Sequence, residues 1–300
     1  MQIPIGELSA LGAALCWSFS SVVFTIVAKE IGALGINRMR LLFATFFFLL
    51  THLLIYGEIL PTGLSWSTWG WLGASGVVGL ILGDSFLFQG YIDIGPRKTI
   101  LLVSTAPIFS AALGWIFLQE NLTGWQIFGI LLTLAGVGWA IIKQPEKRAD
   151  REAGGNYLRG VIVSTIGAVG QAVGLLLAKK GMTTDISTLS VTLIRMIVAT
   201  VVIWGWVLIR GKLWRSLKVL ALPGILSKLL SGSLIGPFLG IYLSMVAIAE
   251  TKIGIAATLM AVQPIMMIPI TWRFFHDRSG VHGLAGAVLA FTGTALLILF

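Results

Sequence analysis

Stretches of about twenty apolar residues follow one another along the whole chain, and each is long enough to cross the ~30 Å hydrocarbon core of a bilayer. They lie near 6–27, 35–56, 69–91, 98–118, 123–142, 157–178, 189–209, 226–248, 254–272 and 281–300. A backbone in lipid must satisfy its own polar groups, which leaves helices or closed barrels. The runs are continuously apolar and lack the alternation of barrel strands, so helices are expected. Charged residues make up 11% of the chain, where soluble domains carry about 25%. The expected fold class is an all-α integral membrane protein of about ten transmembrane helices.

The formal charge of +9 does not signal nucleic acid, because the basic residues sit in the short gaps between apolar runs, as membrane flanks do. Cys16 is the only cysteine, which excludes an intramolecular disulfide and a zinc cluster of several cysteines. His52, His276 and His282 are dispersed, so no metal site is expected. No Walker motif is present, hence no ATP drive from this chain, and no Gly-rich segment follows a strand. No cofactor is implied. The first run lacks a basic leader and a small-residue cleavage site and reads as a span rather than a signal peptide; it also reads as free of carboxylates.

The chain repeats itself. The stretch Gly79 to Pro107 returns as Gly236 to Pro264, 157 residues on (236 − 79). In that register Gly83 meets Gly240, Pro107-Ile108 meets Pro264-Ile265, Trp115 meets Trp272, Glu120 meets Asp277, and Gly129 and Gly136 meet Gly286 and Gly293. After a small length change Arg40, Ala44 and Thr45 match Arg195, Ala199 and Thr200. The one long polar gap, KQPEKRADREAGGNYLR from Lys143, divides the two copies. The expected domains are 1–142, a basic linker 143–156, and 157–300. Five spans per half is an odd number, so the second half enters the membrane inverted, the plan of secondary transporters. Lysine and arginine favour the side holding Arg97, Lys98 and the linker over the side holding Lys179, Lys180 and Lys252. The rich side, on which Arg38 and Arg40 are counted as flanks, is expected in the cytoplasm.

Pro107-Ile108 through Phe117-Leu118-Gln119-Glu120, then Thr123, Gln126, Gly129 and Gly136, with a second copy at Pro264-Ile265, Phe274-Phe275-His276-Asp277, Gly286 and Gly293, make the chain resemble the drug/metabolite transporter superfamily, specifically its ten-helix members with two EamA domains. Asp277 stands where that pattern has glutamate. The resemblance implies export or exchange of small metabolites, often amino acids or related compounds, through a central cavity between the halves. Helices one and six line it in this superfamily, which brings in Trp17, Ser20, Ser21 and Gln171.

Among residues that carry chemistry, Asp84 stands out. A charge near the bilayer centre costs about 2.5–3.5 kcal/mol on the lenient insertion scales, so it needs a basic partner, water or a proton. Its repeat mate is Ile241. It serves substrate or proton coupling, or it makes a fixed contact with Arg40, Arg195 or neighbouring polar groups. Phe88 and Tyr91, at i+4 and i+7, share its face as an aromatic wall or as packing. Arg195 faces the outer side, where a mere flank is less expected. Pro107 and Pro264 are hinge candidates, since each removes a backbone donor and kinks its helix. Ser104 and Gln263 lie beside the carbonyls so freed, and Tyr242 joins the set from the second copy. Serines in spans often bond only their own backbone.

The expected function is a secondary transporter, an exporter of small metabolites such as amino acids or related zwitterionic compounds by alternating access through a central cavity, with proton coupling through Asp84 and no nucleic-acid partner. The alternatives are an uncoupled facilitator or channel and, last, a membrane enzyme. A cell-membrane, multi-pass location in a bacterial or archaeal inner membrane is expected, as monomer or homodimer.

Overall fold

The computed structural model describes residues 4–94, 96–142, 156–183, 186–267 and 281–299. Among these residues every regular element is helical. Eight helices are long and apolar enough to cross a membrane, and two shorter apolar helices bring the series to ten. In chain order helix one is Ile5–Ile31, helix two Ala33–Tyr56, helix three Trp66–Ile94, and helix four runs in two pieces, Pro96–Val103 and Ala106–Leu118. Helix five is Gly124–Ile142, helix six Tyr157–Gly181, helix seven Thr188–Ile209 and helix eight Ile225–Glu250. Helix nine begins at Ile253 and helix ten is Val281–Leu299. The 143–155 linker and the 268–280 segment, with Trp272, Phe274 and Asp277, lie outside the described residues.

Helix ends follow local chemistry. Ser65, Asn156 and Ser187 cap helices three, six and seven, each side-chain oxygen accepting a first-turn amide, which satisfies a donor that has no intrahelical partner. Thr123 and Gln126 form a reciprocal capping box at helix five: the Gln126 amide donates to Thr123 Oγ1 at 3.2 Å and the Thr123 amide to Gln126 Oε1 at 3.1 Å. Two of the motif residues behind the family resemblance are thus helix-starting residues. A short helix, Leu213–Leu217, and a 3-10 turn, Lys218–Ala221, fill the gap between helices seven and eight, which the apolar runs alone did not foretell.

Two features interrupt the long helices, and both come in pairs. Helices three and eight each widen into a π segment, Gly76–Gly83 and Leu234–Gly240, in the same register of the repeat. Pro237 sits inside the second, where the wider turn accommodates a residue that cannot donate. Helices four and nine break just before their prolines. Val103 ends one helix and Ala106 starts the next, so Pro107 falls in a first turn, where its missing amide costs nothing. In helix nine the regular helix ends at Met260 and resumes around Pro264. The sequence predicted kinks; the structure has full breaks, because the chain restarts the helix at the proline instead of bending through it.

Helices five and ten pack on each other along a seam of glycines. A Cβ built on Gly136 would stand 2.7 Å from the Gly286 carbonyl oxygen, and one on Gly293 would stand 2.7 Å from the Gly129 carbonyl oxygen. Backbones meet backbones there, the small-residue packing by which helices associate in lipid. Trp125, Phe128, Leu131, Leu284, Val288 and Phe291 remain exposed on the outward sides of this pair, as a lipid-facing surface requires.

Candidate functional site

Arg40 is the eighth residue of helix two, counted from Ala33. At 1.5 Å per residue it lies about 10 Å inside its helix. It is therefore not the membrane flank that charge counting made it. Its guanidinium meets the Asp84 carboxylate through Nη2 and Oδ2, each side chain 12% exposed. Arg40 Nε donates to Asn37 Oδ1 at 2.9 Å, and Gln171 Nε2 donates to Asp84 Oδ1 at 3.4 Å. The Phe88 ring lies 5.5 Å from the guanidinium carbon, within cation–π range. Asn37 Nδ2 also donates to the Leu80 carbonyl at 3.3 Å and to Ser85 Oγ at 3.4 Å. Leu80 lies inside the first π segment, so a side chain from helix two takes up a carbonyl of the widened turn. Asp84 begins the regular helix directly after that segment, and the π turn sets the direction in which its carboxylate projects.

Arg195 lies in the same register of helix seven, eighth from Thr188. It is 3% exposed, and its Nη2 lies against helix three at Gly79, five residues before Asp84. Its Nη1 meets the Met245 sulfur, and its Nε has no hydrogen-bond partner among the described residues. The helices that carry Asp84, Arg40, Gln171 and Arg195 thus bring two guanidiniums and one carboxylate together inside the bundle. A carboxylate so placed can hold a proton, a cation or a fixed arginine.

A second group gathers where helix one meets the break in helix nine. Ser18 Oγ donates to its own helix at Ala14 (2.8 Å) and to the Gln263 carbonyl (3.0 Å), just before the proline at which helix nine resumes. Ser21 Oγ donates to the Ser18 carbonyl at 3.0 Å and to the Met267 sulfur at 3.2 Å. The Trp17 indole packs on Gly240, where an added Cβ would stand 2.6 Å from Nε1. Tyr242 is half-buried in the apolar cluster around Phe48, Leu80 and Ile241. Ser104 bonds the Ile100 carbonyl of its own helix at 2.8 Å and joins neither group. Tyr91 continues the Asp84 helix, and its side chain lies outside the described residues.

One membrane face is tied by polar contacts that sequence reasoning missed. Lys179 forms an ion pair with Glu120 at 2.6 Å and donates to the Thr251 carbonyl at 2.6 Å. Glu120 Oε2 accepts the Ile253 amide at 2.8 Å, capping helix nine. Lys252 donates to the Asn121 carbonyl at 2.5 Å and to Gln126 Oε1 at 2.9 Å. Thr251 Oγ1 donates to Glu7 at 3.2 Å. Glu7 belongs to the first turn of helix one, so that helix does carry carboxylates, Glu7 and Glu30, at its two ends. Glu7, Gln126, Lys179, Thr251 and Lys252 border a cleft of about 410 Å³. The visible signal was the Gln119-Glu120…Thr123…Gln126 motif opposite lysines at two other helix ends. At the opposite face Arg159 grips Asp93 at 2.8 and 2.5 Å. Among the described residues no three His, Cys, Asp or Glu side chains gather as a metal site, and His52 instead bonds the Glu58 carbonyl and Ser190.

No curated protein matches this sequence. Among solved structures 28 chains match. One, a crystal structure described only as that of a protein, superposes with a TM-score of 0.73 at 14% identity, over 97% of this chain and 95% of its own; this is a likeness of fold. The model of the EamA-like transporter family matches residues 4–142 and again 158–299. Those two matches cover nearly the whole of a multi-pass helical chain whose paired π segments and paired proline breaks fall in a single register, and the chain accordingly belongs to the EamA-like transporter family.

Proposed function

We propose that this transporter exports small metabolites, such as amino acids or related zwitterionic compounds, by alternating access through a central cavity between two halves of opposite orientation. The observation that carries the reading is the Arg40–Asp84 pair held inside the bundle beside Arg195. Burying such charges costs several kcal/mol, which favours a role in handling a solute or a proton over a brace. The proline breaks in helices four and nine supply hinges. The ties among Glu120, Lys179, Thr251 and Lys252 close one face, which speaks against a channel open at both ends. In the cytoplasmic-linker orientation that closed face is the outer one. Proton coupling through Asp84 is part of the proposal.

Purified protein in liposomes tests it. Saturable counterflow of a labelled amino acid supports the carrier, and flux that rises linearly with concentration and shows no counterflow refutes it. Asp84→Asn is expected to abolish acceleration by a pH gradient while leaving exchange measurable. An unchanged pH profile in the folded variant removes the proton from the mechanism.

A further inference from the structure

The two copies of the repeat treat their arginines differently. In the first, Arg40 faces two residues one turn apart on helix three: the Asp84 carboxylate and the Phe88 ring. The 157-residue offset carries that pair to Ile241 and Met245 on helix eight. Arg195, the mate of Arg40, meets Met245, as Arg40 meets Phe88. At the mirrored place of the carboxylate stands Ile241, buried and apolar. The second copy therefore keeps the guanidinium and its i+4 neighbour and omits the counter-charge.

That omission leaves Arg195 poorly satisfied. A thioether is a weak acceptor, Nε has none, and the residue is 3% exposed. Asp84 is already engaged by Arg40, so one carboxylate stands against two guanidiniums and a single positive charge remains. A guanidinium fork takes a carboxylate in two parallel hydrogen bonds, and one carboxylate cancels one charge. A phosphate, with nearly two charges at neutral pH, would overshoot. Glycines of helices three and six pack beside the guanidinium: a Cβ on Gly79 would stand 3.7 Å from Arg195 Nη2 and 3.4 Å from the Gly174 Cα. Separation of helices three and six along this seam would uncover the fork without moving a side chain.

We propose that Arg195 anchors a carboxylate of the transported solute, which takes in the second copy the place that Asp84 takes in the first. This rests on the transporter reading above. The site selects monocarboxylates and amino acids over their amides, and Ile241 is the position that leaves room for the ligand's charge.

Thermal unfolding of the full-length protein in detergent provides the test. The probes are the L-amino acids and short monocarboxylates, each beside its carboxamide, and inorganic phosphate. A carboxylate is expected to raise the midpoint by mass action and its amide is not. Arg195→Gln should weaken that ligand at least tenfold while the ligand-free protein melts no lower than wild type, because an unsatisfied buried charge has been removed. Ile241→Asp should raise the ligand-free midpoint and abolish the ligand shift, since the chain now supplies its own carboxylate. A panel in which no carboxylate acts, in which amides or phosphate act equally, or in which ligand-free Arg195→Gln melts lower than wild type, overturns the assignment. A neutral solute that binds and shows counterflow leaves the carrier reading standing and removes the anchor. A bound carboxylate without counterflow does the reverse.

Discussion

Asp84→Asn gives the sharpest stability test, because the structure predicts an asymmetry between the two partners of its ion pair. The asparagine leaves Arg40 and Arg195 both buried without a counter-charge. Breaking a buried pair by removing one member costs about 3–5 kcal/mol. Arg40→Gln is milder, since the surviving carboxylate keeps the hydrogen bond from Gln171 and the nearby charge of Arg195; about half that cost is expected. At about 2 °C per kcal/mol for a chain of this size, Asp84→Asn lowers the midpoint by about 6–10 °C and Arg40→Gln by about 3–5 °C. The double variant removes both charges of the pair and should melt above Asp84→Asn alone, a coupling that a double-mutant cycle reads directly. Tryptophan fluorescence on heating in detergent is a sufficient assay, with 11 tryptophans in the chain. Equal losses for the two single variants would show that the charge of Arg195 does not act on Asp84, and strict additivity in the double would show that Arg40 and Asp84 are not coupled.

Three further outcomes are expected. Gly136→Leu should destabilise the protein by at least about 1–3 kcal/mol, because its side chain would enter the Gly286 backbone. Gly138→Leu, where the nearest atom to an added Cβ is Leu101 Cδ1 at 3.9 Å, should be near neutral; comparable melting points for the two would refute the glycine seam. Lys179→Met should loosen the tied face at a stability cost of about 1 kcal/mol or less. A cysteine in place of Ile255, which is 2% exposed at the cleft, should then react with an impermeant maleimide in a Cys16→Ser background; labelling that matches the Lys179 protein would show that the lysine closes nothing. A cysteine introduced at Gly154 should be shielded from impermeant reagent in intact cells, and labelling from outside would reverse the proposed orientation.

Span positions were legible in the sequence because the bilayer dictates both length and composition; the starts fixed by the caps at Ser65 and Ser187 fell outside the expected runs at 69 and 189. The partnership of Asp84 was legible only as a choice among Arg40, Arg195 and polar neighbours. The separation along the chain, 44 residues to one arginine and 111 to the other (84 − 40, 195 − 84), carries no information about which lies across the helix interface. Asn37 was overlooked because its task is set by a π turn on another helix, and π turns have no strong residue signature. Lys179 and Lys252 were counted only as charges on one side. Their partners, Glu120 and Gln126, belong to a distant turn, and such closure is a product of packing rather than of local pattern. Ser104 carried two readings, a polar group beside a proline or a serine bonded to its own backbone, and its hydroxyl donates to its own helix.

The π segment before Asp84 also acts as a phase setting. Each residue of an α-helix turns the chain by about 100°, so a turn that holds an extra residue displaces everything beyond it around the axis. Tightening Gly76–Gly83 by one residue to α winding would swing Asp84 off the face that meets Arg40, and would strand the Leu80 carbonyl that Asn37 now covers. The matching segment in helix eight applies the same offset to Ile241 and Met245. The winding of these two segments thus sets which side chains beyond them face the arginines of helices two and seven.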